Sequence, residues 1–147
     1  MTRSERLHRV ANQMEQEQSA SSRRMADLRS SLLNEESRLE TLRAHLASYR
    51  QGFSESHRNG ALAVNVRNYA HFTDRLQLAV DEQTQRVALA QQAYERQLAV
   101  WKEQRARVKA VESVADKQAV REQRLAERVE QCFIDDLVTR RFVTSGS

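Results

Sequence analysis

The sequence predicts an all-α fold: two long helices packed as an antiparallel coiled-coil hairpin, the second longer and overhanging. Three observations carry this. The 147 residues contain no proline and only three glycines, Gly52, Gly60 and Gly146. Apolar residues recur in alternating steps of three and four over most of the chain, the spacing of a heptad seam. The single Asn-Gly pair, Asn59-Gly60, falls between the two periodic stretches and tolerates positive φ. With 39% apolar, 5% aromatic and 30% charged residues, the balance suits a narrow seam and not a thick globular core.

In the first half the seam passes through Leu7, Ala11, Met14, Met25, Leu28, Leu32, Leu39, Leu42, Leu46, Tyr49 and Phe53. Ser21 and Glu35 interrupt it. Thr2 followed three residues later by Glu5 has the form of a capping box, so a helix over about 3–56 is expected to start almost at the first residue. The stretch Gly52 to Asn65 breaks the pattern and places a turn at about 57–65, with Asn65 as a candidate N-cap. A second helix over about 66–141 follows. Its seam runs through Tyr69, Thr73, Leu76, Val80, Gln83, Val87, Ala90, Tyr94, Gln97, Trp101, Gln104, Val108, Val111 and Ala115. It thins at Gln118 and Glu122 and resumes at Leu125, Val129 and Cys132. At 1.5 Å per residue this helix would extend roughly 110 Å. The tail, 142–147, is expected to fray. All of this forms one domain.

Folding the second helix onto the first pairs residues whose numbers add to roughly 122, because apolar levels then meet. Leu46 faces Leu76, Leu42 faces Val80, Leu32 faces Ala90, Leu28 faces Tyr94 and Met14 faces Val108. Ser21 faces Trp101 and leaves room for the indole, while Leu39 faces Gln83 as an imperfect pair. The first helix runs out near residue 118, leaving about twenty residues of the second alone, a length only marginally stable as an isolated helix.

Several functions are disfavoured. There is no Gly-Lys-Ser/Thr phosphate loop. His8, His45, His57 and His71 are not at helical ligand spacing, so no metal or other cofactor is expected and the four are read as solvent-facing. Cys132 is the lone cysteine, which makes an internal disulfide impossible and a reducing cytosol the simplest home. No apolar run is long enough for a transmembrane helix, nor does the start resemble a secretory signal. A single seam offers no cavity for a substrate, so an enzyme is not expected. The net charge of +4 is spread: residues 1–57 hold nine Arg against eight acidic residues, and 66–141 hold fourteen Lys/Arg against twelve. Mixed signs read as solvated faces and not as a nucleic-acid stripe.

Two places carry more apolar surface than a seam needs. Phe72, Leu76 and Ala79 follow i, i+4, i+7 spacing, which suits docking into a partner's groove. The alternative is a wider seam in which Phe72 packs over the turn against Phe53 or Leu62. Phe133, Ile134, Leu137, Val138 and Phe142 lie on the overhang without first-helix partners, open to a partner protein, to self-association or to a different register. Arg140 and Arg141 suit the macrodipole at a helix C-terminus.

Four stretches, taken in order, resemble the FliJ family of bacterial flagellar export proteins: LASYRQGF (46–53), NYAHFTDRLQLAV (68–80), AYERQLAVWKEQRARVKAVE (93–112) and EQCFIDDLVTRR (130–141). The likeness covers essentially the whole chain. It implies a role in flagellum biogenesis, and so in motility and chemotaxis, as a component of type III protein export. By this resemblance the hairpin is a stalk that promotes assembly and activity of the hexameric export ATPase ring. It also couples that ring to the export gate protein FlhA and engages export chaperones. Gate contact is implied for Phe72, Leu76, Ala79, Gln83, Leu42 and Tyr49. Ring contact is implied for Glu130, Gln131, Phe133, Ile134, Asp135, Leu137, Arg140 and Arg141. Such a protein is expected to be a cytoplasmic monomer, peripherally associated with the membrane-embedded apparatus. The alternatives are the equivalent stalk of a virulence-type secretion system and a homodimeric coiled-coil scaffold.

Overall fold

The computed structural model describes residues 1–60 and 63–146, without the side chains of 63–65. It contains two helices, α1 from Arg3 to Arg58 and α2 from Ala63 to Ser145, of 56 and 83 residues. Among the described residues there is no strand. The helices pack as an antiparallel hairpin, and α2 is the longer.

The start of α1 is the capping box that its first residues spell out. The Thr2 N–H donates to Glu5 Oε2 at 3.0 Å, and the Glu5 N–H donates back to the Thr2 hydroxyl at 3.2 Å. Two donors at the helix start are thereby satisfied. At the other end α1 runs to Arg58, past the expected 56, because nothing before Asn59-Gly60 stops it. Gly60 has φ of +88°, and its N–H returns to the His57 carbonyl at 3.2 Å. A glycine here avoids the clash an L side chain meets at positive φ. Helix α2 then begins at Ala63, three residues before the expected start, so the break is shorter than 57–65. Residues 61, 62 and the side chain of Asn65 lie outside the described residues. The tail is also more helical than expected. α2 continues to Ser145, and the Gly146 N–H closes on the Phe142 carbonyl at 3.2 Å.

The chain divides into two compact units: residues 21–101, and residues 1–20 with 102–147. In the first, Leu39, Leu46 and Val80 are buried together, with Leu42, Leu76 and Val87 packed against them. All six belong to the expected seam. Leu32 is also buried. Burial of each such side chain contributes roughly 1.5–3 kcal/mol.

The two interruptions of the α1 seam are polar ties. Gln83 is only 5% exposed, and its amide donates to the Glu35 carbonyl at 2.9 Å and to the Glu35 carboxylate. Gln97 likewise donates to the Ser21 hydroxyl at 2.6 Å and carbonyl at 3.3 Å. The Trp101 indole N–H donates to the hydroxyl of Ser22, one residue beyond the expected Ser21, at 2.6 Å. Leu39 against Gln83 is therefore not merely imperfect, because the glutamine turns to Glu35.

In the second unit Ala11, Val108 and Ala115 are buried. Ser4 donates its N–H (3.1 Å) and its hydroxyl to the carboxylate of Glu122. His8 is exposed, as expected, and also bonded: Nε2 lies 3.3 Å from Asp116 Oδ1, and Nδ1 lies 2.8 Å from the Ser4 carbonyl. Every residue from Gln123 to Gly146 is exposed. The resumed seam at Leu125, Val129 and Cys132 thus meets no described residue of α1.

Leu46→Ala, at a buried level, is expected to destabilise by about 2–3 kcal/mol. Leu33→Ala, off the seam and 55% exposed, should stay within about 0.5 kcal/mol of the parent in urea unfolding followed by circular dichroism.

Candidate partner-binding surfaces

The turn-proximal surface of the first unit is built from aromatic side chains that exceed the needs of the seam. Tyr69 of α2 stacks on Phe53 of α1 (centroids 3.6 Å apart) and on Tyr49 (5.4 Å), and Phe53 stacks in turn on His57 (5.8 Å). Phe72 leans on Tyr49 at 4.4 Å with a tilt of 46°. The rings rim an open groove of about 650 Å³, with His45, Ser48, Gly52, Ser56, Asn68 and Leu76 completing its wall. Phe72 packs on Tyr49 and remains 46% exposed, while Leu62, the other expected neighbour, lies outside the described residues.

The six residues linked to gate contact divide by environment. Tyr49 and Phe72 are exposed and touch one another. Leu76 and Leu42 are half-buried against Leu39, Leu46 and Val80. Ala79 is half-buried. Gln83 is committed to Glu35, yet with Leu42 it lines a shallow groove that also includes Arg38, Thr41 and Arg86. The stripe is thus anchored in the core on one side and open at its two aromatic rings.

The second surface is the α2 end. Glu130, Gln131, Phe133, Ile134, Asp135, Leu137, Arg140 and Arg141 are all exposed. Val129 is 70% and Phe142 80% exposed. Polar i, i+4 contacts support the helix locally: Gln131 Nε2 donates to Asp135 Oδ1 at 3.2 Å, and Arg140 lies 3.6 Å from Asp136. The apolar residues here are not confined to one stripe. At 100° per residue, Val129, Phe133 and Leu137 follow one line while Ile134, Val138 and Phe142 follow another, so apolar surface wraps most of the circumference. Glu130, Asp135, Asp136, Arg140 and Arg141 stand beside or between these lines, so the end offers apolar and charged groups on several sides at once.

One family model, described as the flagellar FliJ protein, matches residues 3–147. The chain belongs to the flagellar FliJ family. Neither a curated protein nor a solved structure matches it. Membership makes this FliJ-family chain a flagellar protein associated with export. Among the described residues no helix is long and apolar enough to cross a membrane, and no group of three or more His, Cys, Asp or Glu is arranged to hold a metal ion.

Two carboxylates of the second unit, at different levels of α2, are shifted from the ordinary carboxyl range. A hydrogen bond with Glu15 raises the pKa of Glu112 above the ordinary carboxyl range. Burial and the charges of Glu15 and Asp116 act the same way, and Lys109 opposes them. Hydrogen bonds from Ser4 lower the pKa of Glu122. The two act oppositely on stability. The contribution of Glu122 is present at neutral pH and lost as pH falls. Glu112 favours the fold while protonated, and that contribution is lost as pH rises. Glu112→Gln is therefore expected to raise the thermal midpoint at pH 7 and to give no gain at acid pH. Melts at the two pH values check this.

Proposed function

We propose that this chain acts as a central stalk of the flagellar type III export apparatus. It promotes assembly and ATP hydrolysis of the hexameric export ATPase and couples that ring to the gate protein FlhA. Export chaperones are further partners, and the chain works in the cytoplasm at the periphery of the membrane-embedded gate. The observation that carries this reading is the α2 end, a bare helix with apolar surface around most of its circumference, in a chain of the flagellar FliJ family. A ring encloses such a helix from every side, which a flat partner cannot do. The exposed pair Tyr49 and Phe72, far along the sequence from that end, supports a separate gate contact.

Deleting residues 130–147 is expected to abolish stimulation of the export ATPase while the helicity of the remaining chain and its mass as a monomer are retained. Retained stimulation would place the ring contact elsewhere, and a dimeric parent chain would favour a coiled-coil scaffold. Phe72→Ala should weaken binding to purified FlhA, roughly tenfold for loss of an aromatic anchor, with little change in helicity. A loss of helicity would instead make Phe72 a seam residue.

A further inference from the structure

Between the α1-paired seam and the end of α2 lies a surface that the gate contact does not use and that shares only its last residues, among them Val129 and Phe133, with the ring surface. Continuing the α2 heptad from Ala115, with core positions at Gln118, Glu122, Leu125, Val129 and Cys132, leaves three successive core positions bare. The last covered position is Glu122, held by Ser4. On one flank of the bare seam stand Ala126 and Phe133, which widen it. On the other flank stand Arg121 and Arg128, one heptad apart.

These arginines belong to a longer row. Lys117, Arg121, Arg124 and Arg128 follow i, i+4, i+7, i+11 spacing, which keeps all four within a narrow stripe of the helix. All four are exposed, and none forms an ion pair with a described residue. Unpaired cations beside an uncovered core row are half of a coiled-coil interface, in which flanking charges select the partner.

We propose that residues 117–133 dock one amphipathic helix of another protein, with apolar core positions and a glutamate- or aspartate-rich flank facing Arg121 and Arg128. A second copy of this chain fits poorly. In an antiparallel pair the arginine flanks meet each other, and in a parallel pair they meet Ala126 and Phe133, so neither arrangement supplies the missing negative charge. Like charges at these flanks oppose pairing. A partner helix also covers a segment that is marginal as an isolated helix in water. The site does not involve the gate contact, and a helix bound here would compete with the ring for Val129 and Phe133.

The test uses the full chain and two synthetic four-heptad helices with identical leucine core positions. One has glutamate at both flanking positions, the other lysine. Binding is read by fluorescence anisotropy and the mass of the chain by sedimentation. The acidic helix is expected to bind saturably and the basic helix not to bind below about 1 mM. In Arg121→Glu/Arg128→Glu the preference reverses, with the acidic helix bound roughly tenfold more weakly. Val129→Asp abolishes binding while the helicity of the chain is unchanged. Equal binding of both helices, unaltered binding by the charge-reversed chain, or a dimer of the parent chain that Val129→Asp dissolves would each overturn the proposal.

Discussion

The narrowness of the seam is the constraint on which everything else depends. Two helices share one line of contact, so each level contributes only a few side chains, and sliding one helix along the other costs little from apolar packing alone. Register has to come from somewhere else. Here it comes from polar ties at levels where an all-apolar seam would be degenerate: Gln83 on Glu35, Gln97 on Ser21, and Glu122 on Ser4. A slip of one turn would leave these buried or half-buried groups without partners, which costs more than any one apolar level returns. Polar core positions fix coiled-coil register at some expense in stability. Thr73 Oγ1 and Gln104 Oε1 are buried without a partner among the described residues.

The same narrowness explains how one simple architecture presents several surfaces. A hairpin seam consumes only a third or so of each helix circumference, so any apolar residue beyond it is exposed by default. At the turn the surplus is aromatic. Tyr69 and Phe53 stack and close the end of the seam, and Phe72 and Tyr49 sit outside them, half-supported and half-exposed. Past Glu122 the surplus is the seam itself, uncovered, followed by apolar surface wrapping the helix. Rigidity at these sites comes from continuous backbone hydrogen bonding, while chemical character comes from residues that the hairpin does not use.

Much of this was legible in the sequence for a physical reason. Heptad spacing, the Thr2–Glu5 capping box and the Asn59-Gly60 turn are local signals, and local geometry in a helix is nearly determined by sequence spacing. The register was legible only to about one helical turn: pairing apolar levels such as Leu46 with Leu76 gave an approximate alignment, and the Gln83–Glu35, Gln97–Ser21 and Glu122–Ser4 ties each sit about a turn away from it. The function class was legible through resemblance, and the family match agrees with it. Less legible was the role of the interruptions. Ser21 and Glu35 looked like gaps because apolar periodicity counts a polar residue as a missing contact, whereas their partners lie 48 and more residues away. The cationic row at Lys117 to Arg128 was also hidden, since counting charges along the chain averages over faces that the helix separates.

By itself, then, the sequence determined two helices, their break, their approximate pairing and the family, because each depends on spacing or on residue type alone. The tertiary structure decided what each side chain does once paired: that Gln83 is held by Glu35, that Trp101 bonds to Ser22, that Phe72 leans on Tyr49, and that nothing described covers α2 beyond Glu122. These depend on which residues from distant parts of the chain share a level and on which way a flexible side chain turns to meet its partner. Periodicity places a residue on a face, but only the packed hairpin shows what that face meets.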